Sequence, residues 1–217
     1  MGLFGFIYVS TTLIVPVGSY EQHGAHLPLN TDTQIAVTLA TRLSETLANS
    51  HLGPPITISA SGEHQGFVGT LSIGNEVLHA TVLEIARSAD WAQRIVFVNG
   101  HGGNNTALFG AIQHINSEGR MAMCWSPYID GADSHAGHTE TSLMLAINPG
   151  SVDMAKAVIG TTIPLCDVFN DLRTGGLKTV SPNAVLGDPT TATAESGRVI
   201  LLKLLDDLVR SVNNWLS

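Results

Sequence analysis

Four short apolar runs recur along the chain, and a stretch with helical spacing follows each of them. The runs are Leu13–Val17, Ile56–Ala60, Ile95–Val98 and Met121–Trp125. The second is entered through Pro54-Pro55, and the third is continuous and apolar, as a strand buried on both faces should be. Helices are predicted over Asp32–Ala48, where Ile35, Leu39, Leu43 and Leu47 repeat at i+4, and over Asn75–Ala89, with Asn75 as N-cap. Further helices are predicted over Asn105–Glu118, stopped by Gly119, over Thr139–Ile147 before Pro149, and over Ala194–Trp215. Such alternation argues for an α/β fold, a parallel sheet covered by helices. With no internal repeat, linker or low-complexity tract, residues 1–217 are expected to form a single domain.

Composition narrows the function classes. Apolar residues make up 44% and charged residues 13%, the reverse of a disordered chain. So little charge also suggests a surface partly hidden by self-association. A net charge of −8 with ten scattered basic residues argues against a nucleic-acid partner. Cys124 and Cys166 are too few for a disulfide framework and form no CxxC, so they are expected as thiols in a reducing cytoplasm. The apolar stretch Met1–Tyr20 raises the question of a signal peptide, but it lacks a basic n-region and runs straight into the richest motif. Ser10, Thr11, Thr12, Pro16 and Gly18 interrupt it as a membrane span, and Phe6 breaks the myristoylation pattern after Met1-Gly2. The expectation is a soluble cytoplasmic protein without a membrane partner, with an irregular or shortened N-terminus.

Three clusters carry chemistry. The first runs Gly18-Ser-Tyr-Glu-Gln-His-Gly-Ala-His-Leu-Pro-Leu-Asn-Thr-Asp32. Glu21 and His23 are two apart and point the same way in an extended segment, while Asp32 starts the next helix. Together they form an N/O donor set suited to zinc, iron or manganese. The second is Asn99-Gly-His-Gly-Gly-Asn-Asn105. It reads as a weak phosphate-binding loop, or as a ligand, His101, beside glycines that let the backbone approach metal or substrate. In the latter case Gly102 and Gly103 face the substrate and offer backbone donors. The third, Asp133-Ser-His-Ala-Gly-His-Thr-Glu-Thr-Ser142, offers Asp133, His135, His138 and Glu140. Here His135 could shuttle a proton and Glu140 could be a further ligand, or the acids could simply favour the helix dipole. Each cluster follows a predicted strand and precedes a helix, so all three should meet at one sheet edge. Ser61–Thr70 also follows a strand, which makes Glu63 and His64 candidate substrate contacts; His51, His79 and His114 read as structural.

At these residues the sequence resembles the creatininase family of amidohydrolases. The matching pieces are Val15–Gly24, Leu27–Asp32, Gly66–Ser72, Asn99–Asn104 and His135–Ser142. The resemblance implies a three-layer αβα sandwich with a mostly parallel central sheet, two divalent metals per chain, and a homo-oligomer, a hexamer or similar. It implies Glu21, His23, Asp32 and His101 as metal ligands, with Asp32 bridging. Where the creatinine-hydrolysing member has a ligand Glu, two residues after the second-motif His, this chain has Gly103, and Glu140 is the expected replacement. Ser134 stands where that member has an acidic residue, which points away from creatinine. Ala25 and Val68 stand where the family often has Pro. Three further stretches, Ser61–Phe67, His138–Met144 and Ser181–Pro189, resemble a peptidase member that releases a Val-Tyr-derived dipeptide from the modified C-terminus of a small precursor peptide. The implied reaction is hydrolysis of an amide by metal-activated water, with His135 passing a proton to the leaving nitrogen. Creatinine or formamide hydrolysis on the same site is the nearest alternative. A non-catalytic metal- or phosphate-binding protein is the alternative of another class.

Overall fold

The computed structural model describes residues 11–217, except for the side chains at 165, 166, 169, 172 and 173. The readings made on residues 1–10 and on the Cys166 thiol lie outside the described residues. Four strands, β1 (Thr12–Val17), β2 (Ser50–Leu52), β3 (Arg94–Asn99) and β4 (Ala122–Trp125), form one parallel sheet in the order β2-β1-β3-β4. The long helices are α1 (Thr31–Thr46), α2 (Gly74–Ser88), α3 (Asn105–Ser117), α4 (His138–Ile147), α5 (Leu165–Gly175) and α7 (Ala194–Leu216), with a single turn, α6, at Leu177–Val180.

Strand alternation divides the core in two. Ile14, Val96 and Val98 face Leu39 and Leu43 of α1, Met144 of α4, and Leu204 and Leu208 of α7. Leu13, Val15, Ile95 and Phe97 point the other way, onto Leu78 and Val82 of α2 and Leu108 and Ala111 of α3. With a helix layer on each face, β1 and β3 are buried on both sides, which is why their sequences run apolar without alternation. This is the three-layer αβα sandwich. Among the described residues, no helix is long and apolar enough to cross a membrane.

The second strand departs from expectation. It lies at Ser50–Leu52, and the expected strand Ile56–Ala60 is reduced to isolated bridges, Val17 with Ile56 and Ser59 with Ser72. Pro54 and Pro55 have no N–H to donate, so the ladder beside β1 stops at Leu52. Pairing resumes only where Ile56 N donates to Pro16 O at 2.9 Å and Gly18 N to Ile56 O at 2.9 Å. The chain then leaves the sheet, which carries Ser59–His64 over the C-terminal ends of β1 and β3. Helices α5 and α6 had no counterpart in the sequence reading.

That edge is packed against the start of α1. A Cβ on Gly100, just beyond β3, would stand 2.5 Å from the carbonyl oxygen of Asp32 and 3.2 Å from Ala36 Cβ. Gly100→Ala should therefore push the first turn of α1 off the strand end and destabilise the protein by about 1–3 kcal/mol in urea unfolding. An unchanged unfolding midpoint would mean that the seam between β3 and α1 has slack.

Candidate metal centre

Strand ends and helix starts deliver the acids and imidazoles to one edge. Glu21 and His23 follow β1, Asp32 lies in the first turn of α1, and His101 follows β3. His135 sits in the loop after β4, Glu140 in the first turn of α4, and Glu63 and His64 on a 3-10 turn, Gly62–His64. Glu21, His23, Asp32, His64, His101 and His135 are all buried.

Asp32 is the hub. Its Oδ1 lies 3.1 Å from His23 Nε2, its Oδ2 lies 3.2 Å from His101 Nδ1, and Ser19 Oγ donates to Oδ2 at 2.7 Å. Burial opposes the Asp32 charge, but His23 and His101 hold the carboxyl well below its usual range. The same pairing acts in reverse on His23: burial disfavours its charge, yet Asp32 pushes it up to about 10. Glu140 Oε2 stands 3.8 Å from His23 Nε2 and accepts from Ala136 N at 2.6 Å, while burial raises its carboxyl to about 7.

The hydrogen bonds of the rings assign their protons. Gly24 N donates to Gln22 Oε1 at 3.1 Å, which fixes the amide so that Gln22 Nε2 donates to His64 Nδ1 at 2.8 Å. Neutral His64 therefore carries its proton on Nε2, facing Glu21 Oε1 at 3.2 Å, and has no lone pair left for a metal. Burial and cationic His101 push His64 down to about 3, in keeping with a neutral donor. His23 is the opposite case: Nδ1 donates to the Glu21 carbonyl at 3.0 Å, so it is the Nε2 proton, held toward Asp32 at 3.1 Å, that a metal ion would displace. In His135, Nε2 donates to the Gln22 carbonyl at 2.9 Å, leaving Nδ1 open 3.9 Å from Glu21 Oε1 and 4.0 Å from Glu140 Oε2. Burial, then the neighbouring His23 and His64, hold His135 well below its usual range.

The residues fit a metal on two grounds. Both carboxylate oxygens of Glu21 are buried and accept no hydrogen bond, although His64 and His101 stand only 3.2 Å away. Burial, ahead of every other influence, lifts this carboxyl to about 7. A buried carboxylate without a well-formed hydrogen bond is costly unless a cation compensates it. The donor spacings also match. Ligands bound at about 2.0–2.2 Å and 90–109° apart are separated by roughly 2.8–3.6 Å, which brackets the 3.1 and 3.2 Å contacts around Asp32. One ligand atom each of Glu21, His23 and Asp32 lie within 4.8 Å of one another, as do those of His23, His135 and Glu140.

Other candidates fall elsewhere. Asp133 accepts from the backbone N–H groups of His138 and Thr139 at the start of α4, and His138 Nδ1 pairs with Thr191 Oγ1 at 2.9 Å; neither enters the cluster. His79 and His114 meet at a tilt, and His51 meets Trp91 edge-on. A phosphate loop at Asn99–Asn105 would share its space with the carboxylates of Glu21, Asp32 and Glu63, an anionic setting that repels phosphate. Sequence reasoning passed over Gln22, which has no metal chemistry of its own and acts by fixing His64. The signal available was its place between Glu21 and His23, where an extended segment turns it to the opposite face. A cavity of about 1030 Å³, lined by Glu63, His64, His101, Gly102, His135 and Glu140, opens onto the cluster.

An αβα sandwich that gathers buried carboxylates and imidazoles under a cavity at its strand ends has the makings of a metal-dependent hydrolase. Residues 7–212 match the family model described as creatininase, creatinine amidohydrolase, and the chain belongs to the creatininase family. It is 49% identical over 213 residues to the mycofactocin precursor peptide peptidase of Mycobacterium ulcerans (strain Agy99), covering 94% of this chain and 85% of that protein. Among solved structures, a creatininase of Mn form superposes with a TM-score of 0.78 at 25% identity, covering 94% of this chain and 91% of that one. A mutant creatininase of Zn-Zn type gives a TM-score of 0.78 at 26% identity, covering 94% and 90%. The chain is thus a metal-dependent amide hydrolase.

His23→Ala removes the ring that links Asp32 to Glu140. It should weaken zinc binding at least ~10-fold, the smallest effect usual even for residues that only touch a ligand. Zinc retained after dialysis checks this, and full activity of that variant after exhaustive chelation would sink the metal reading.

Proposed function

We propose that the chain hydrolyses a peptide amide, releasing the modified C-terminal, Val-Tyr-derived dipeptide of the mycofactocin precursor peptide. The observation that carries this reading is the buried set of Glu21, His23, Asp32 and His101, with half-buried Glu140 at its edge, beneath a cavity of about 1030 Å³, roomy enough for the end of a peptide. The 49% identity to a mycofactocin precursor peptide peptidase supports the choice of substrate. So do Gly103 and Ser134, both departures from the creatinine-hydrolysing pattern.

In this reading Glu21, His23, Asp32, His101 and Glu140 would hold two divalent ions. Zinc or iron suits the donors, and manganese is compatible. When bound, such ions lower the pKa of water toward neutrality and polarise a carbonyl. The chain's own part is to aim and to move protons. His135, whose Nε2–H is committed to the Gln22 carbonyl, takes a proton at Nδ1 from the attacking water and passes it to the leaving nitrogen. Water supplies the hydroxyl of the new carboxylate, and the released dipeptide leaves as the amine. The same reading places the enzyme in the cytoplasm as a homo-oligomer, a hexamer or similar. Exposed Phe109 (67%) and Leu202 (61%) support burial of further surface between copies.

The test presents zinc-, iron(II)- or manganese-loaded protein with three substrates: the modified precursor peptide, creatinine and an N-formyl amide. Dipeptide release is expected from the first alone, read by mass spectrometry, and turnover of only creatinine or the formamide would overturn the choice of substrate. His135→Ala should lower kcat on the peptide by about 10²–10⁴-fold while metal content stays near that of the wild type.

A further inference from the structure

Three acceptors crowd one nitrogen of His101. Its Nε2 lies 3.0 Å from the Ala60 carbonyl oxygen, 3.1 Å from Glu63 Oε1 and 3.2 Å from Glu21 Oε2, while Nδ1 faces Asp32 Oδ2 at 3.2 Å. A neutral imidazole has one proton, and the nitrogen that carries it cannot bind a metal. The Ala60 carbonyl can only accept. It is also fixed in place, because Ala60 N donates to Asn104 Oδ1 at 3.2 Å. Glu63 adds a full negative charge on the same side, which strengthens an N–H facing it.

We infer that Glu63 is a positioning residue for His101: its carboxylate keeps the ring proton on Nε2, so that Nδ1 faces Asp32 as the metal-binding nitrogen. This rests on the metal-centre reading above and changes the part given to Glu63, which the sequence suggested as a substrate contact. Gly103 belongs to the same device. A Cβ there would overlap both Glu63 Oε1 and His101 Nε2 and stand 2.6 Å from the Ala60 carbonyl oxygen. The absence of a side chain at 103 is the gap through which the carboxylate reaches the ring. Gly103 thus acts through sterics, where the sequence offered it as a substrate-facing backbone donor. Glu63 itself sits on the cavity wall with its side chain 30% exposed, so it can hold His101 without being sealed inside the cluster.

The experiment uses zinc-loaded, ¹⁵N-labelled protein and two readouts: long-range proton–nitrogen spectra of the imidazoles, and zinc affinity by chelator competition. The wild type should show His101 protonated on Nε2 with zinc on Nδ1. Glu63→Ala should weaken zinc binding about 10–100-fold and blur the tautomer signature. Glu63→Gln, which keeps an acceptor oxygen, should recover most of the affinity. Gly103→Ala should resemble Glu63→Ala; if it fails to fold, the Glu63 variants and the wild-type spectrum still decide. Zinc on Nε2, or wild-type affinity in Glu63→Ala, overturns the inference. His101→Ala separates the two levels. If that variant holds zinc like the wild type, the metal-centre reading fails; if it loses zinc while Glu63→Ala does not, only the role of Glu63 fails.

Discussion

Asp32 accepts from Ser19 Oγ at 2.7 Å and stands 3.1 Å from His23 Nε2 and 3.2 Å from His101 Nδ1. Those partners come from the end of β1, the loop that follows it, and the end of β3. Removing a carboxylate from water to 1% exposure costs several kcal/mol even after relaxation, so all three segments must arrive together to offset it. The sheet makes this possible. Parallel pairing sets Val17 opposite Asn99, so both strands end level, and the start of α1 closes against them at Gly100. Register, helix start and charge pairing are therefore one constraint expressed at three levels.

Around that hub the rings divide the work by which nitrogen keeps a proton. His23 spends its Nδ1 proton on the Glu21 carbonyl, and His135 spends its Nε2 proton on the Gln22 carbonyl. In both rings it is the other nitrogen that faces the acids, His23 Nε2 toward Asp32 and His135 Nδ1 toward Glu21 and Glu140. His64, held by Gln22 Nε2, is the exception and presents an N–H to Glu21. Gln22 thus orients two rings, one through its side chain and one through its backbone. Rings that look alike in the sequence therefore differ in chemistry: two turn a nitrogen toward the acids that a metal could take, and one turns an N–H toward them.

Much of this was legible in the sequence where periodicity or residue type carries the signal. The apolar runs at β1, β3 and β4 and the stripe of α1 survived because burial on both faces leaves no other place for Leu39 or Phe97. The convergence of the three clusters followed from topology, since strand–helix turns of a parallel sheet share an edge. Ile56–Ala60 misled because β-branched content speaks for a strand while Pro54-Pro55 remove the donors that would pair it. Helix α5 does carry apolar residues at helical spacing, Leu165, Val168, Phe169 and Leu172, but over only two turns and interrupted by Asp167, Asn170 and Asp171. Within the site, Glu63 and Gly103 could be named but not given a part. The contact between them spans forty residues, and only the folded chain shows that the missing Cβ and the carboxylate meet at the same imidazole.

The cluster is also a place where the fold gives up stability. Glu21 holds two buried oxygens with no hydrogen bond, in a site that already contains Asp32 and Glu140. A core built for stability alone would replace them with apolar groups or supply donors. Instead, the surroundings are made rigid. Asn104 Nδ2 donates to Gly18 O and to Asn99 Oδ1, each at 3.0 Å, and Asn99 Nδ2 donates to His101 O at 2.8 Å. These amides tie the ends of β1 and β3 to the loop at Ala60, so the acids cannot relax apart or swing into water. Negative charge held this close together, with so few donors, is stable only with cations among it. In the metal-free protein, protons must fill that role, and burial accordingly raises Glu21 and Glu140 to about 7. Divalent ions compete for those same positions, so metal binding must displace protons, and the affinity of the site must rise with pH as its carboxyls ionise.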